Sequence, residues 1–149
     1  MATTVTAANL TVTITESITL NGVQYGNTVN KTFSSNGVVD QRIMNIATGD
    51  TYTDIFNFGT ADSAGTGVKN DYAYFRITNL DDTNFVTLQV TAGDTYWIKL
   101  KAGESFMLMD NEMDAIDGST TFGAFADITK VSAASNSAAC DIEYTVIAA

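Results

Sequence analysis

The chain contains no histidine and no proline, and one cysteine, Cys140, among its 149 residues. Histidine is the side chain that moves protons near neutral pH, so its absence excludes Ser-His-Asp catalysis, Cys-His catalysis and histidine-metal chemistry together. A single cysteine closes no intrachain disulfide, and no second cysteine or histidine is present to share a metal with it. Packing must supply the stability. Cys140 stands just before the alternating Ile142, Tyr144 and Val146, the place of a small residue at a strand start. Without proline, no ring-fixed kink or proline-rich linker is available.

Positive charge is also scarce. Lys31, Arg42, Lys69, Arg76, Lys99, Lys101 and Lys130 are scattered among seventeen acids, and the net charge is −10. A phosphate backbone needs clustered lysine and arginine, so nucleic acid is not an expected partner. An acidic balance suits a many-copy protein that must stay soluble when crowded. Uninterrupted apolar runs are only a few residues long, and the start, Met1 to Asn9, lacks the basic region and apolar core of a signal peptide. A soluble protein with no membrane partner is the expectation. There is no Gly-x-Ser-x-Gly elbow and no glycine-rich phosphate loop ending in Lys-Ser or Lys-Thr. A carboxylate pair at glycosidase distance can arise by chance among seventeen acids, but nothing marks one. The expected protein is not an enzyme and has no catalytic residues, metal or cofactor.

Threonine is abundant instead, with 23 copies, many interleaved with Val, Ile, Leu, Phe and Tyr. β-Branched and aromatic residues suit a pleated, half-buried surface, which makes the class all-β. From Leu10 to Leu20 the even positions are Leu10, Val12, Ile14, Glu16, Ile18 and Leu20, with Thr or Ser at each odd one. The even set is expected to face a core and the threonines to face solvent or a partner. Glu16 interrupts this set and marks a bulge, a strand end or the edge of the core. Asn21-Gly22 and Asn36-Gly37 are turn signals flanking a strand near Thr28 to Phe33.

A phrase then occurs twice: Thr48-Gly49-Asp50-Thr51-Tyr52 and Ala92-Gly93-Asp94-Thr95-Tyr96, with forty-four positions between the two glycines. The same offset carries Met44 onto Leu88, Ile46 onto Val90 and Gly59 onto Gly103. Each copy reads as a hairpin, the first joining Val38–Ala47 to Thr51–Phe58 and the second Phe85–Thr91 to Thr95–Lys101. Further strands are expected over Tyr72–Asn79, Glu104–Met109, Phe122–Val131 and Asp141–Ile147, with Met107, Leu108 and Met109 buried on both sides. Gly59–Asp71, Asp110–Thr121 and the Ser/Ala-rich stretch Ser132–Ala139 read as loops or turns, the second with room for one helical turn. Together these make a two-sheet β-sandwich of about eight to ten strands, with residues 10–149 as one domain and residues 1–9 as an N-terminal arm. Its expected core is Leu10, Val12, Ile14, Ile46, Phe75, Ile77, Leu88, Val90, Ile98, Leu100, Ile142 and Val146.

Three candidate sites come from the residues alone, each with a plainer structural reading. Asp110, Glu112 and Asp114 alternate as calcium ligands do, but Ala115 takes the glycine position and Thr121 the closing glutamate, so a solvated acidic loop is the expectation. Gly65-Thr66-Gly67 lacks the third glycine and the βαβ setting of a dinucleotide loop. Trp97 and Tyr96, with Tyr52, Tyr72, Tyr74 and Phe75, offer a sugar-stacking platform, although aromatics in alternating runs usually fill cores or subunit contacts.

The segment Ile77-Thr78-Asn79-Leu80-Asp81-Asp82-Thr83-Asn84-Phe85-Val86, with Ile98-Lys99-Leu100-Lys101-Ala102-Gly103-Glu104-Ser105-Phe106, resembles small structural proteins of tailed bacteriophages. The resemblance covers Ile77 to Phe106; an aliphatic-Lys-x-Gly-Glu turn also occurs in cupin-like domains, whose histidine ligands are missing here. It implies a jelly-roll-like virion protein made in the host cytoplasm and carried in many copies, with a capsid decoration (cement) protein on the outer shell as the first expectation. A fibre, neck or tail component is the alternative in the same class, and a carbohydrate-binding module the alternative from another. The implied partners are the major capsid protein or other virion subunits, and further copies of the chain, a trimer being the first expectation. A threonine-rich arm without its own core suits strand donation to a neighbour, with Thr3, Thr4, Val5 and Thr6 as the contact strip.

Overall fold

Strands in which every second residue is apolar have one face to bury, and two such sheets bury each other. The computed structural model describes residues 6–59, 66–68, 71–114 and 124–148, and among them there are strands and turns but no helix. In chain order the strands are β1 (Ala8–Thr15), β2 (Ile18–Leu20), β3 (Val23–Tyr25), β4 (Thr28–Asn36), β5 (Val38–Ile46), β6 (Thr53–Gly59), β7 (Thr66–Val68) and β8 (Tyr72–Asn79). They continue with β9 (Val86–Thr91), β10 (Thr95–Leu100), β11 (Ser105–Leu108), β12 (Glu112–Asp114), β13 (Phe125–Asp127), β14 (Lys130–Ser135) and β15 (Cys140–Ala148).

One sheet runs β11-β8-β15-β5 and the other β10-β9-β14-β6, all antiparallel, with β7 added in parallel beyond β6. The chain changes sheet at every step from β5 to β15 except the β9–β10 hairpin, counting only these eight strands. Numbered one to eight, they stand in the orders 1-8-3-6 and 2-7-4-5. That is the eight-stranded jelly roll. The resemblance implied this fold class, and the strand order shows it.

Phe75 and Ile77 of β8 and Ile142, Tyr144 and Val146 of β15 share one buried cluster with Val86, Leu88 and Val90 of β9 and Val131 of β14. Aromatic rings fill its centre: Phe75 stacks on Tyr144 with centroids 6.2 Å apart, Phe58 stacks on Tyr72 at 4.5 Å, and Phe56 meets Phe58 at 5.0 Å. Cys140 is buried at the first position of β15, its thiol 2.9 Å from the Ser135 hydroxyl and raised above its ordinary value by burial. It packs as a small core residue.

Two buried phenols give the fold an alkaline limit. The Tyr144 hydroxyl donates to Asp40 Oδ2 at 3.1 Å, and burial, with the neighbouring carboxylate, pushes its pKa up to about 12. Tyr72 donates to the Asp110 carbonyl and is raised further, again by burial first. A folded-state pKa above the ordinary value of 10 means that their contribution is complete below pH 10 and is lost as pH rises towards the folded values. In an alkaline titration followed by tyrosinate absorbance, part of the signal should therefore lag above pH 10 and appear together with unfolding. The Tyr72→Phe, Tyr144→Phe double variant should lose most of this lagging step, the remainder belonging to Tyr74, which burial also raises; a wild-type titration complete before any unfolding would contradict the assignment.

The structure corrects several sequence expectations. The first Gly-Asp-Thr-Tyr copy is not a hairpin: β5 pairs with β15, whereas β6 pairs with β14 in the opposite sheet. Gly49, at a φ of 107°, turns the chain between sheets and donates to the Ser135 carbonyl at 3.2 Å. Gly93 does lie in a hairpin, with Thr91 paired to Thr95. Gly-Asp makes a bend in both places, while Thr95 and Tyr96 of the second copy already belong to β10, and the free strand edges decide what each bend joins. The Ser/Ala-rich stretch is not a turn from its start, because Ser132 to Ser135 are buried residues of β14, a central strand where small side chains fit between larger neighbours. The turn proper is 136–139. Met107 and Met109 are exposed and Phe106 and Leu108 half-buried, so this stretch alternates with one face on the core and is not buried on both sides. Within the expected surface loop Gly59–Asp71, Thr66–Val68 forms the short strand β7.

Candidate functional site

The most unusual surface is made by the threonine-alternating segment. β1 and β2 fold back on β3 and β4 as one ribbon, and among the described residues neither half pairs with a sandwich strand. Asn21 and Gly22 take φ of 51° and 77°, as the two-residue turn that follows strand twist requires. One register runs the length of the ribbon, pairing Leu20 with Val23, Ile18 with Tyr25, Ile14 with Val29, Val12 with Lys31 and Leu10 with Phe33. Because strand side chains alternate, this register puts the apolar residues on one face, with Lys31 among them over the Phe33 ring, and the hydroxyls on the other.

The polar face is internally satisfied. Thr13 donates to Asn30 Oδ1 at 2.8 Å and Thr19 to Gln24 Oε1 at 2.6 Å, while the hydroxyls of Thr11 and Thr32, and of Thr15 and Thr28, meet at 3.3 Å. Glu16 lies between β1 and β2, its amide donating to the Asn27 carbonyl at 2.8 Å. Opposite it the backbone needs Gly26: φ there is 113°, and a Cβ would stand 2.2 Å from the Glu16 carbonyl oxygen.

Among the described residues, only the base of the ribbon is covered. Val12, with Leu10 and Phe33, packs on Tyr74 and Ile147, which stand on the outer face of the first sheet. The Asn36 amide donates to the carbonyls of Ala8 and Phe33 at 3.0 and 2.9 Å, and Gly37 donates to Ala148 at 3.0 Å. Beside this anchor lies a cavity of about 180 Å³ lined by Ala8, Asn9, Leu10, Asn36, Val39 and Ile147. Beyond the base the apolar face is open. Ile18, Leu20, Val23, Tyr25 and Val29 are each more than half exposed, and Ile14, expected in the core, is 36% exposed. Concentrated one-sided apolar exposure marks an interaction surface, and an isolated two-stranded ribbon is marginal in water without something against it. Residues 8–36 hold one acid, Glu16, and one base, Lys31, so the net charge of −10 lies entirely on the rest of the chain.

The other sequence candidates fall in separate places. Of the contact strip, Thr6 is exposed just before β1, and Thr3, Thr4 and Val5 lie outside the described residues. Asp110 accepts from the Glu112 amide at 3.2 Å, and Glu112 pairs across from Asp127 on β13. The side chain of Asp114 and residues 115–123 lie outside the described part, and among the described residues no three acids or cysteines converge as metal ligands. In the Gly65-Thr66-Gly67 candidate, Gly65 is outside the described residues and the other two begin β7. The aromatics do not gather: Tyr72 and Phe75 are core, Tyr74 lies under the ribbon, and Tyr52 borders a cavity of about 260 Å³ near Gly49. Trp97 is the exposed exception, 61% accessible on β10, opposite Gln89 of β9 in a row that continues to Ser132 and Asp54.

The residues of the bacteriophage resemblance act as a joint. Buried Asn79 donates to the carbonyls of Asn84 at 2.9 Å and Leu100 at 3.3 Å and accepts from the Asp81 amide at 3.0 Å. Its backbone exchanges bonds with Glu104 and Gly103 at 3.0 and 3.1 Å. Asp81, in turn, accepts from the amides of Asn84 and Thr83, which hold its carboxylate below the ordinary range. The two halves of the resembling segment are therefore bonded to each other across the end of the sandwich. No protein-family model, no curated protein and no solved structure matches the chain.

Proposed function

We propose that the chain is a virion structural protein, and specifically a capsid decoration protein, in which the jelly roll is the body and the N-terminal ribbon an assembly element. The observation that carries this reading is the ribbon: a nearly uncharged, one-sided apolar surface on an acidic body has the character of a subunit contact. Thr3, Thr4, Val5 and Thr6, which precede β1 in the sequence, would be the strip that adds as a strand to a shell protein. Bridging neighbouring shell subunits would raise the shell's resistance to internal pressure, and a fibre, neck or tail position would use the same surfaces.

The test is attachment to heads that lack the protein. The full chain should cosediment with them at a fixed saturating stoichiometry. Deleting residues 1–7, which spares the Ala8 carbonyl used by Asn36, should abolish attachment while leaving the thermal midpoint unchanged. Full occupancy by the truncated chain would refute the contact strip, and a full chain that never binds heads would refute decoration. Trp97 favours a second reading, a carbohydrate-binding module, because an exposed indole with the Gln89 amide across from it offers a stacking face with a hydrogen-bonding neighbour. Glycan binding by the free protein that disappears in Trp97→Ala would support that reading instead.

A further inference from the structure

We infer that the ribbon packs its apolar face against the same face of a second copy of this chain. Among the described residues Ile14 is 36% exposed and Ile18, Leu20, Val23, Tyr25 and Val29 are each more than half exposed, whereas the opposite face has its hydroxyls and amides bonded in pairs. One face needs a cover and the other does not. The charge distribution selects the cover. A copy approaching through its body brings like charges together, but two ribbons each carrying one Glu16 and one Lys31 meet without net repulsion. Area points the same way: the six side chains expose on the order of 600 Å² together, so two ribbons face to face bury roughly 1,200 Å², where specific stable interfaces begin. The contact is self-complementary, as the two-fold axis of a symmetric dimer requires.

The inference rests on the assembly reading for its choice of a second copy, but it is tested on free protein, so failure to bind heads leaves it untouched. Analytical ultracentrifugation of the full chain should show a discrete multiple of 15.9 kDa. The Ile18→Thr, Tyr25→Thr double variant keeps strand-favouring residues and removes the apolar surface, and it should weaken association roughly 100-fold or more. The Thr13→Ser, Thr19→Ser variant on the polar face should associate as the wild type does. Circular dichroism on both variants verifies that the sandwich is intact; should Ile18→Thr, Tyr25→Thr unfold it, Leu20→Thr at the ribbon tip takes its place. A wild-type chain that stays monomeric at the highest concentration reached overturns the inference. So does an oligomer indifferent to the apolar-face substitutions, or a monomer whose ribbon instead binds phosphatidylcholine vesicles.

Discussion

Replacing Phe75 by alanine is expected to lower the unfolding free energy by about 3–5 kcal/mol, the range for truncating a buried aromatic side chain. Phe75 is completely buried at the centre of β8 and meets Phe56 and Phe58 at 6.3 Å and Tyr144 at 6.2 Å. Its removal opens a cavity between rings anchored on both sheets, so the walls have little freedom to collapse. Against a total stability of about 5–15 kcal/mol for a domain, this single change removes a large share. Denaturant titration should show an earlier midpoint with an unchanged slope. A loss under about 1 kcal/mol would mean that the sheets do not pack through this ring.

Asn79→Ala is expected to cost about 2–4 kcal/mol although it removes fewer atoms. The Asn79 side chain satisfies the carbonyls of Asn84 and Leu100 and the amide of Asp81. Alanine leaves these backbone groups near the sandwich end without their partner and loosens the loop after β8 from the turn before β11. Asn79→Asp is the sharper comparison: it has nearly the same shape, but an ionised carboxylate cannot donate to two carbonyls and would be buried without a cation. It should be the more damaging of the two at neutral pH, and its deficit should shrink on acidification, as protonation restores one donor. Equal stability of Asn79→Asp and wild type at neutral pH would contradict the joint.

Period-two alternation made the strands of the sandwich legible, because burial of one face leaves a direct trace in the sequence at Phe75 to Ile77, Val86 to Val90 and Ile142 to Val146. Alternation says which face is apolar, not what lies against it. That is why the even positions of Leu10 to Leu20 read as core, whereas Val12 is buried, Leu10 half-buried and the others exposed. The available signal was the mirrored pattern around Asn21-Gly22, which lets the segment pair with itself and consume its own hydrogen-bonding edges. Pairing partners were equally hidden at Gly49, since a turn residue does not reveal that β15 occupies the edge of β5. Ser132 to Ser135 misled for a related reason. Small residues are common in turns, but they also suit a central strand between β9 and β6, a crowding visible only after the topology is known. Of the contact strip, only Thr6 falls within the described residues, so the structural argument for assembly comes from the ribbon behind it.

Amide hydrogen exchange of the full chain at two protein concentrations, above and below its association midpoint, most directly tests the claim that this is an assembly subunit whose ribbon is completed by another molecule. The account predicts that amides of β2 and β3 exchange slowly at the high concentration and much faster at the low one, while those of β8 and β15 in the core remain equally protected at both. Ribbon protection that is the same at both concentrations would contradict it.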